Sequence, residues 1–447
     1  MRSSASDTIA AIATPPGRGG VGVVRVSGRD LARMLASLVG HDIIPRRATL
    51  CDFRAADGSA IDRGLVLFFP SPHSFTGEDV IELHGHGGPA VMQALLARTI
   101  ALGARLAAPG EFSQRAYLNG KLDLAQAEAV ADLIDASTAA AARSAMRSLT
   151  GEFSSAVHAL VAQLIELRML IEATLDFPEE EIDVLRDTDA AKRLDRLIDD
   201  LASLRSRARQ GSVLRGGIHV VLTGLPNVGK SSLLNRLAGS DRAIVTEIAG
   251  TTRDALHELI EIDGVAVHVT DTAGLRETDD PVERIGVDRA WAEIARADIV
   301  IQLVDARDGV GAGDAAIAAR LPVGARRLVV ENKIDLAGFA VGREDCDGVV
   351  HLRLCAKSGE GVDLLRAELL RIVGWQGGED VVLARERHLV ALERAHETTV
   401  VARRRLTQAE LCAEELRMAQ EALSTITGEV TADDLLGEIF SRFCIGK

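Results

Sequence analysis

The stretch Gly224-Leu225-Pro226-Asn227-Val228-Gly229-Lys230-Ser231 fits the pattern G-x-x-x-x-G-K-[ST] at every fixed position. A short apolar run, Ile218 to Leu222, precedes it, and Ser232-Leu233-Leu234-Asn235-Arg236-Leu237 follows with helical spacing. The order is strand, loop, helix. Glycines in such a loop let backbone N–H groups converge on phosphate oxygens at the start of a helix. Lys230 then serves as a point charge for the outer phosphates, and the Ser231 hydroxyl is a ligand for Mg²⁺. The stretch predicts a nucleotide site inside an α/β domain.

Three further elements follow in order. Ile260 and Ile262 lead through Asp263-Gly264, a hairpin-type turn, into alternating Val265, Val267 and Val269, and that strand ends in Asp271-Thr272-Ala273-Gly274. Asp271 is placed for the Mg²⁺ shell and Gly274 for close approach to the γ-phosphate. The strand Arg327 to Val330 runs into Asn332-Lys333-Ile334-Asp335, whose last carboxylate can accept from both N1–H and the 2-amino group of guanine. Adenine lacks that donor pair. Cys355-Ala356-Lys357 reads as a short loop covering the base. Together these elements resemble the translation-factor-type GTPases, so GTP is the expected ligand. The expected nucleotide contacts are Asn227, Val228, Gly229, Lys230, Ser231 and Ser232, then Thr246, Glu247, Ile248, Ala249, Gly250, Thr251 and Thr252. They continue with Asp271, Thr272, Ala273, Gly274, Asn332, Lys333, Asp335, Cys355, Ala356 and Lys357.

A chain of 447 residues with 47% hydrophobic content has room for two to four domains with buried cores. No uninterrupted apolar stretch of about eighteen residues appears, and no signal-peptide core follows Met1 to Asp7, so neither membrane insertion nor export is expected. The five cysteines, Cys51, Cys346, Cys355, Cys412 and Cys444, lack C-x-x-C spacing, which argues against zinc and against a disulfide framework. The cytoplasm fits this usage. A net charge of −14 speaks against a general nucleic-acid coat, although a local basic surface could still dock a folded RNA.

Before the GTPase motifs the texture divides in two. Thr8 to Ala13 reads as a strand, Pro15-Pro16-Gly17-Arg18-Gly19-Gly20 as a loop, and Val21 to Val26 as a strand again. Arg25, inside that apolar run, needs a partner, and an internal salt bridge is one solution. Glu82, His84 and His86 share one face of a later strand but lack a closing fourth ligand, so hydrogen-bonded histidines are expected rather than a metal. Pro89 opens a helix to about Leu102. Beyond Lys121 long helices take over, with Leu160, Leu164, Leu167, Ile171 and Leu175 on one stripe and Leu194, Leu197, Leu201 and Leu204 on another. The stretch Gly211 to Gly217 is expected to end the helices, and Gln376 to Asp380 to link the GTPase to further helices around Leu416, Ala419, Leu423 and Ile426.

The expected fold is therefore multidomain: an amino-terminal α+β part (1–119), a discontinuous all-α helical domain (120–215 and 377–447) and a Ras-like α/β P-loop GTPase domain (216–376) inserted within it.

The residues resemble the MnmE family of tRNA-modification GTPases, also called TrmE, along nearly the whole chain. The match rests on Ala13 to Gly20, Ser74 to Asp79, Gly85 to Gly88, Pro109 to Phe112, Lys121 to Ala129, Gly250 to Asp254 and the terminal Phe443-Cys444-Ile445-Gly446-Lys447. The resemblance implies a homodimer that works with a flavin-containing partner of the MnmG type, as a heterotetramer, on tRNA. The implied product is a carboxymethylaminomethyl or aminomethyl group on carbon 5 of the wobble uridine, position 34. It also implies an amino-terminal site for a tetrahydrofolate derivative, the 5-formyl or 5,10-methylene form, contacted by Arg25, Glu82, Lys121 and Lys447. A carboxylate suits a pterin edge and cations suit a glutamate tail. Lys447 also reads as a frayed terminus, and Cys444 as a small buried hydrophobe rather than a nucleophile.

Phosphoryl transfer needs an oriented water and positive charge on the transition state. Leu275, which follows Gly274, can orient no water. The resemblance supplies the parts from elsewhere. K⁺ takes the place of an arginine finger on Asn227, Thr246, Ile248 and Thr251, Mg²⁺ is held by Ser231 and Thr252, and Glu283 orients the water. From the residues alone Glu283 reads as a surface carboxylate. Asn227, Lys230 and Glu283 are thus the expected catalytic groups. Two other functions fit the GTPase motifs: a switch that times release from a maturing ribosomal subunit, and a folate enzyme regulated by GTP.

Overall fold

The computed structural model describes residues 7–176, 189–240, 257–271, 290–322, 324–378, 380–429 and 433–446. The chain divides into two compact units, one of Met1–Ile134, Ser148–Asp199 and Arg394–Lys447, the other of Asp135–Arg147 and Asp200–Glu393.

The first unit holds a six-stranded sheet in the order β3-β4-β5-β2-β1-β6. Its strands are β1 (Ile9–Ile12), β2 (Gly19–Gly28), β3 (Thr49–Arg54), β4 (Ala60–Phe69), β5 (Asp79–Gly87) and β6 (Arg105–Leu106). All pairings are antiparallel except β1 with β6. Alternation along the strands sends Val24, Val26, Ile81, Leu83 and Val66 into a core shared with Leu35 and Leu38 of the helix Ala32–Val39 and Leu95 of the helix Pro89–Ala101. The intervening residues Arg25, Glu82 and His84 are only half-buried. β2 is longer than the run Val21 to Val26 suggests, because pairing with β5 extends from Gly19 to Gly28.

The same unit contains the long helices. Phe153, Val157, Leu160, Leu164, Leu167 and Ile171 form the buried stripe of the helix Glu152–Asp176. It packs against Ala409–Thr427, where Cys412, Leu416, Ala419, Leu423 and Ile426 are buried, and Arg168 Nη1 donates to Gln420 Oε1 at 2.8 Å. Helices from before and after the GTPase motifs therefore share one core. Among the described residues Glu152–Ala173 is long and apolar enough to cross a membrane by length and composition alone. The buried stripe and the Arg168 contact give that apolarity a use inside the protein.

The second unit is built on a seven-stranded sheet ordered β12-β13-β11-β10-β7-β9-β8. It comprises β7 (Ile218–Gly224), β8 (His257–Ile262), β9 (Val265–Asp271), β10 (Ile299–Asp305), β11 (Arg327–Asn332), β12 (Gly342–Cys346) and β13 (Val349–Leu354). Only the β8–β9 and β12–β13 pairs are antiparallel. The central strands are buried almost throughout, as strands covered on both faces must be. Their carboxyl ends carry Gly224, Asp271, Asp305 and Asn332.

The helix Ala190–Gly216 ends inside the stretch Gly211 to Gly217, as expected, and passes through Gly211 on the way. Gly211 is there for close approach: a Cβ would lie 1.8 Å from the Val382 carbonyl oxygen, so the glycine admits a neighbouring chain. Cys444, read as a buried hydrophobe, is exposed, because the tail beyond Phe443 leaves the apolar cluster of Leu124, Ile439, Phe440 and Phe443.

Candidate functional site

The carboxyl ends of β7, β9, β10 and β11 meet as neighbours in the sheet, which is where ligands bind open α/β sheets. Between β7 and the helix Lys230–Ser240 the loop is wound tightly, with φ of +141° at Gly224, +64° at Asn227 and +104° at Gly229. Lys230 Nζ donates to the carbonyls of Gly224 (2.9 Å) and Leu225 (3.1 Å), spanning the loop it follows. Burial lowers the Lys230 pKa, although the Asp271 charge opposes this. Asp271 is raised by burial, against the Lys230 charge and a hydrogen bond from Ser231.

The metal reading can be tested on these residues. The Ser231 hydroxyl and Asp271 carboxylate are in contact, and Asp271 Oδ1 is buried with no hydrogen-bond partner among the described residues. An orphaned buried carboxylate oxygen beside a hydroxyl suits a hydrated Mg²⁺, which is held by few protein oxygens. The donor set fits.

Asn332 ties the site together. Its Nδ2 donates to the Val228 carbonyl at 2.8 Å and its Oδ1 accepts from Ala356 N–H at 2.9 Å, so one buried amide joins the phosphate loop to the base loop. Lys333, at φ +67°, turns its ammonium onto the Asn227 carbonyl (2.6 Å) and Asp305 Oδ2 (2.8 Å). The Arg307 guanidinium, and after it Lys333, hold the Asp305 carboxyl far below the usual carboxylate range despite the opposing effect of desolvation. Asp335 accepts a hydrogen bond from the Cys355 thiol at 3.2 Å. Arg236 donates to the carbonyls of Ala356 (3.2 Å) and Lys357.

The structure thus brings together Asn227, Val228, Gly229, Lys230, Ser231, Asp271, Asn332, Lys333, Asp335, Cys355, Ala356 and Lys357, with Ser232 following on the helix. Thr246, Glu247, Ile248, Ala249, Gly250, Thr251, Thr252, Thr272, Ala273, Gly274, Glu283 and Lys447 lie outside the described residues. Sequence reasoning missed Asp305 and Arg236. Asp305 ends an apolar strand next to β11, as Asp271 does next to β8, and that signal could have found it.

A second cluster lies in the amino-terminal sheet, where Arg25 and Glu82 are register partners on β2 and β5. Arg25 donates from Nε to Glu82 Oε1 (3.0 Å) with Nη2 2.9 Å from the same oxygen, an internal salt bridge within the apolar run, and His84 Nε2 lies 3.2 Å from Glu82 Oε2. The guanidinium carbon stands 5.6 Å from the centre of the half-exposed Phe75 ring and 5.8 Å from that of Phe112. Lys121 packs along the same loop, its Cε 3.3 Å from where a Cβ of Gly77 would stand. The carboxyl-terminal tail meets the end of β1, since a Cβ on Gly446 would lie 2.6 Å from the Ile12 carbonyl oxygen. Among the described residues no three His, Cys, Asp or Glu side chains form a metal-ligand group.

Two family models match the chain. "GTP-binding protein TrmE N-terminus" covers residues 8–121, and "MnmE helical domain" covers 124–444. A protein of Dechloromonas aromatica (strain RCB), named "tRNA modification GTPase MnmE", is 63% identical over 446 residues, which is 99% of this chain and 100% of that one. A protein of the same name from Azoarcus sp. (strain BH72) is 63% identical over 443 residues, 99% of this chain and 98% of its own length. Among solved structures, a singly substituted form of Aquifex aeolicus Era bound to GDP.AlF4- is 26% identical over 40% of this chain and 66% of that one, with a TM-score of 0.29.

Proposed function

The chain belongs to the MnmE family of tRNA modification GTPases, and from that premise we propose that it is a potassium-dependent GTPase acting with an MnmG-type flavin protein on the wobble uridine of certain tRNAs. The product is a carboxymethylaminomethyl or aminomethyl group on carbon 5 of uridine 34, and GTP hydrolysis drives the conformational change that accompanies it. The observation that carries the reading is that Asn332 links the phosphate loop to the base loop, in a chain whose amino-terminal part matches the TrmE model.

The chemistry asked of the chain is positioning and charge neutralisation. Lys230 and the backbone N–H groups of the loop before it cradle the phosphates, and Asp335 accepts from the guanine edge. Ser231, Asp271 and Thr252 hold Mg²⁺, which neutralises phosphate charge when bound. Asn227, which is exposed, would hold K⁺ together with Thr246, Ile248 and Thr251, supplying positive charge to the transition state, and Glu283 would orient the water. A tetrahydrofolate derivative is held near Arg25, Glu82, Lys121 and Lys447. The half-exposed Phe75 ring beside Arg25 supports a flat ligand there, although Glu82 must then share its carboxylate with Arg25. A homodimer in the cytoplasm, joined by the flavin partner into a heterotetramer, completes the proposal.

Replacing K⁺ by Na⁺ at constant ionic strength should depress turnover at least about tenfold. Equal rates in the two salts would sink the potassium mechanism. Bulk tRNA from cells lacking the chain should lose the carbon-5 aminomethyl-type nucleosides, and unchanged nucleosides would instead promote the ribosome-assembly switch.

A further inference from the structure

The base loop Cys355-Ala356-Lys357-Ser358 is braced from three directions, and two of the braces belong to the recognised motifs. Asn332 Oδ1 accepts from Ala356 N–H at 2.9 Å, and the Cys355 thiol donates to Asp335 Oδ1 at 3.2 Å. The third brace is outside every motif. Arg236, half-buried on the helix Lys230–Ser240 that starts at the phosphate loop, donates from Nε to the Ala356 carbonyl at 3.2 Å and from Nη2 to the Lys357 carbonyl. Its side chain also lies over Gly359, where a Cβ would meet Arg236 Cδ at 3.5 Å.

The consequence follows from peptide geometry. In a trans peptide the C=O and the following N–H point in opposite directions. Two carbonyls drawn toward one guanidinium therefore turn the N–H groups of Lys357 and Ser358 away from it. The loop begins beside Asp335, the carboxylate placed to read the other edge of the base. N–H groups aimed there meet an acceptor at position 6 of guanine and a donor at position 6 of adenine. A planar fork that holds two carbonyls at once is a property of arginine that lysine does not share.

We propose that Arg236 is a positioning residue for guanine recognition: it sets the backbone N–H groups of the base loop for the oxygen at position 6, and it fastens that loop to the helix that begins at the phosphate loop. The proposal rests on the guanine-nucleotide reading of the site and adds to it a determinant that acts through the backbone rather than by touching the nucleotide.

The test is an equilibrium titration of the full chain with GDP, with ADP and with 6-thioguanosine diphosphate, in wild type, Arg236→Ala and Arg236→Lys. The thio analogue keeps N1–H, the 2-amino group and both phosphates, and replaces the oxygen with a weak acceptor. Arg236→Ala should weaken GDP about tenfold, roughly the worth of one hydrogen bond, while weakening the thio analogue less than about twofold. Arg236→Lys, which keeps a single donor, should fall between, and its folding is secured by the retained charge and stem. An equal loss for both nucleotides means a general structural role and overturns the proposal, as does no loss for GDP. A wild-type chain that binds ADP as well as GDP would instead overturn the guanine reading beneath it, so the two failures are told apart.

Discussion

At the scale of single residues, the nucleotide site depends on places where no atom can be added. Gly229 has φ +104°, a conformation that strains any L side chain, and a Cβ there would stand 2.3 Å from Asn332 Nδ2. Gly229→Ala should therefore push Asn332 off the Val228 carbonyl and weaken GDP binding at least a hundredfold, as read by calorimetric titration. Binding within tenfold of wild type would show that the contact yields. A second dense cluster lies far along the sequence from these motifs. Buried Glu111 accepts from Arg105 at 2.6 and 2.8 Å, from Arg115 at 3.0 Å and from Ala108 N–H at 2.8 Å. Burial alone would raise its pKa, but these donors outweigh it and the net shift is downward. Because the folded value lies below the ordinary value of about 4.3, the cluster's contribution is complete above that pH and is lost as pH falls from there through the lower folded value. The melting temperature of the wild type should drop steeply below about pH 4.5, and Glu111→Gln should be less stable by about 3 kcal/mol near neutrality with a flatter acid limb. Parallel pH profiles for the two proteins would contradict this account.

At the scale of elements, the strand ends decide what the chain can do. β7, β9, β10 and β11 each terminate in a polar or glycine residue after a buried apolar run, and for β7, β9 and β11 this pattern was read from the sequence. So was the two-residue turn at Asp263-Gly264, where Asp263 takes φ +47° as a tight hairpin requires. The end of the helix Ala190–Gly216 was legible as well, but the reason for a glycine at position 211 was not. Glycine within a helical pattern signals an end by propensity, and only the tertiary contact of Gly211 with Val382 shows why it was retained mid-helix. Gly211→Ala, a change that favours an isolated helix, should here destabilise the protein by about 2 kcal/mol in chemical denaturation, because the added methyl meets a backbone oxygen. A neutral or stabilising result would mean that the neighbouring chain can move aside. The braces of the base loop were equally hidden. Asn332 and Asp335 stand in a motif, whereas Arg236 reaches the base loop through a side-chain direction that spacing alone does not encode.

At the scale of the whole molecule, the helices Glu152–Asp176 and Ala409–Thr427 share a core although the GTPase motifs lie between them in sequence. Matching apolar stripes on either side of those motifs made this arrangement readable as an insertion. The amino-terminal sheet was less readable. Its strands are separated by loops and by the helices Ala32–Val39 and Pro89–Ala101, and the pairing of Arg25 with Glu82 became definite only with the register of β2 on β5. That pairing bears on the folate reading, because a ligand that takes Glu82 must compete with a guanidinium already bound to it. Glu82→Gln should weaken binding of 5-formyltetrahydrofolate at least about tenfold while leaving GTP turnover of the isolated chain within about twofold, and an unchanged folate affinity would move that ligand elsewhere.

The central claim is that GTP hydrolysis at the Lys230 site drives modification of wobble uridine. It is tested most directly by nucleoside mass spectrometry of bulk tRNA from a deletion strain complemented with wild type or with Lys230→Ala at equal protein level. The wild type should restore the carbon-5 aminomethyl-type uridines and Lys230→Ala should leave them absent. Full restoration by Lys230→Ala would contradict the claim.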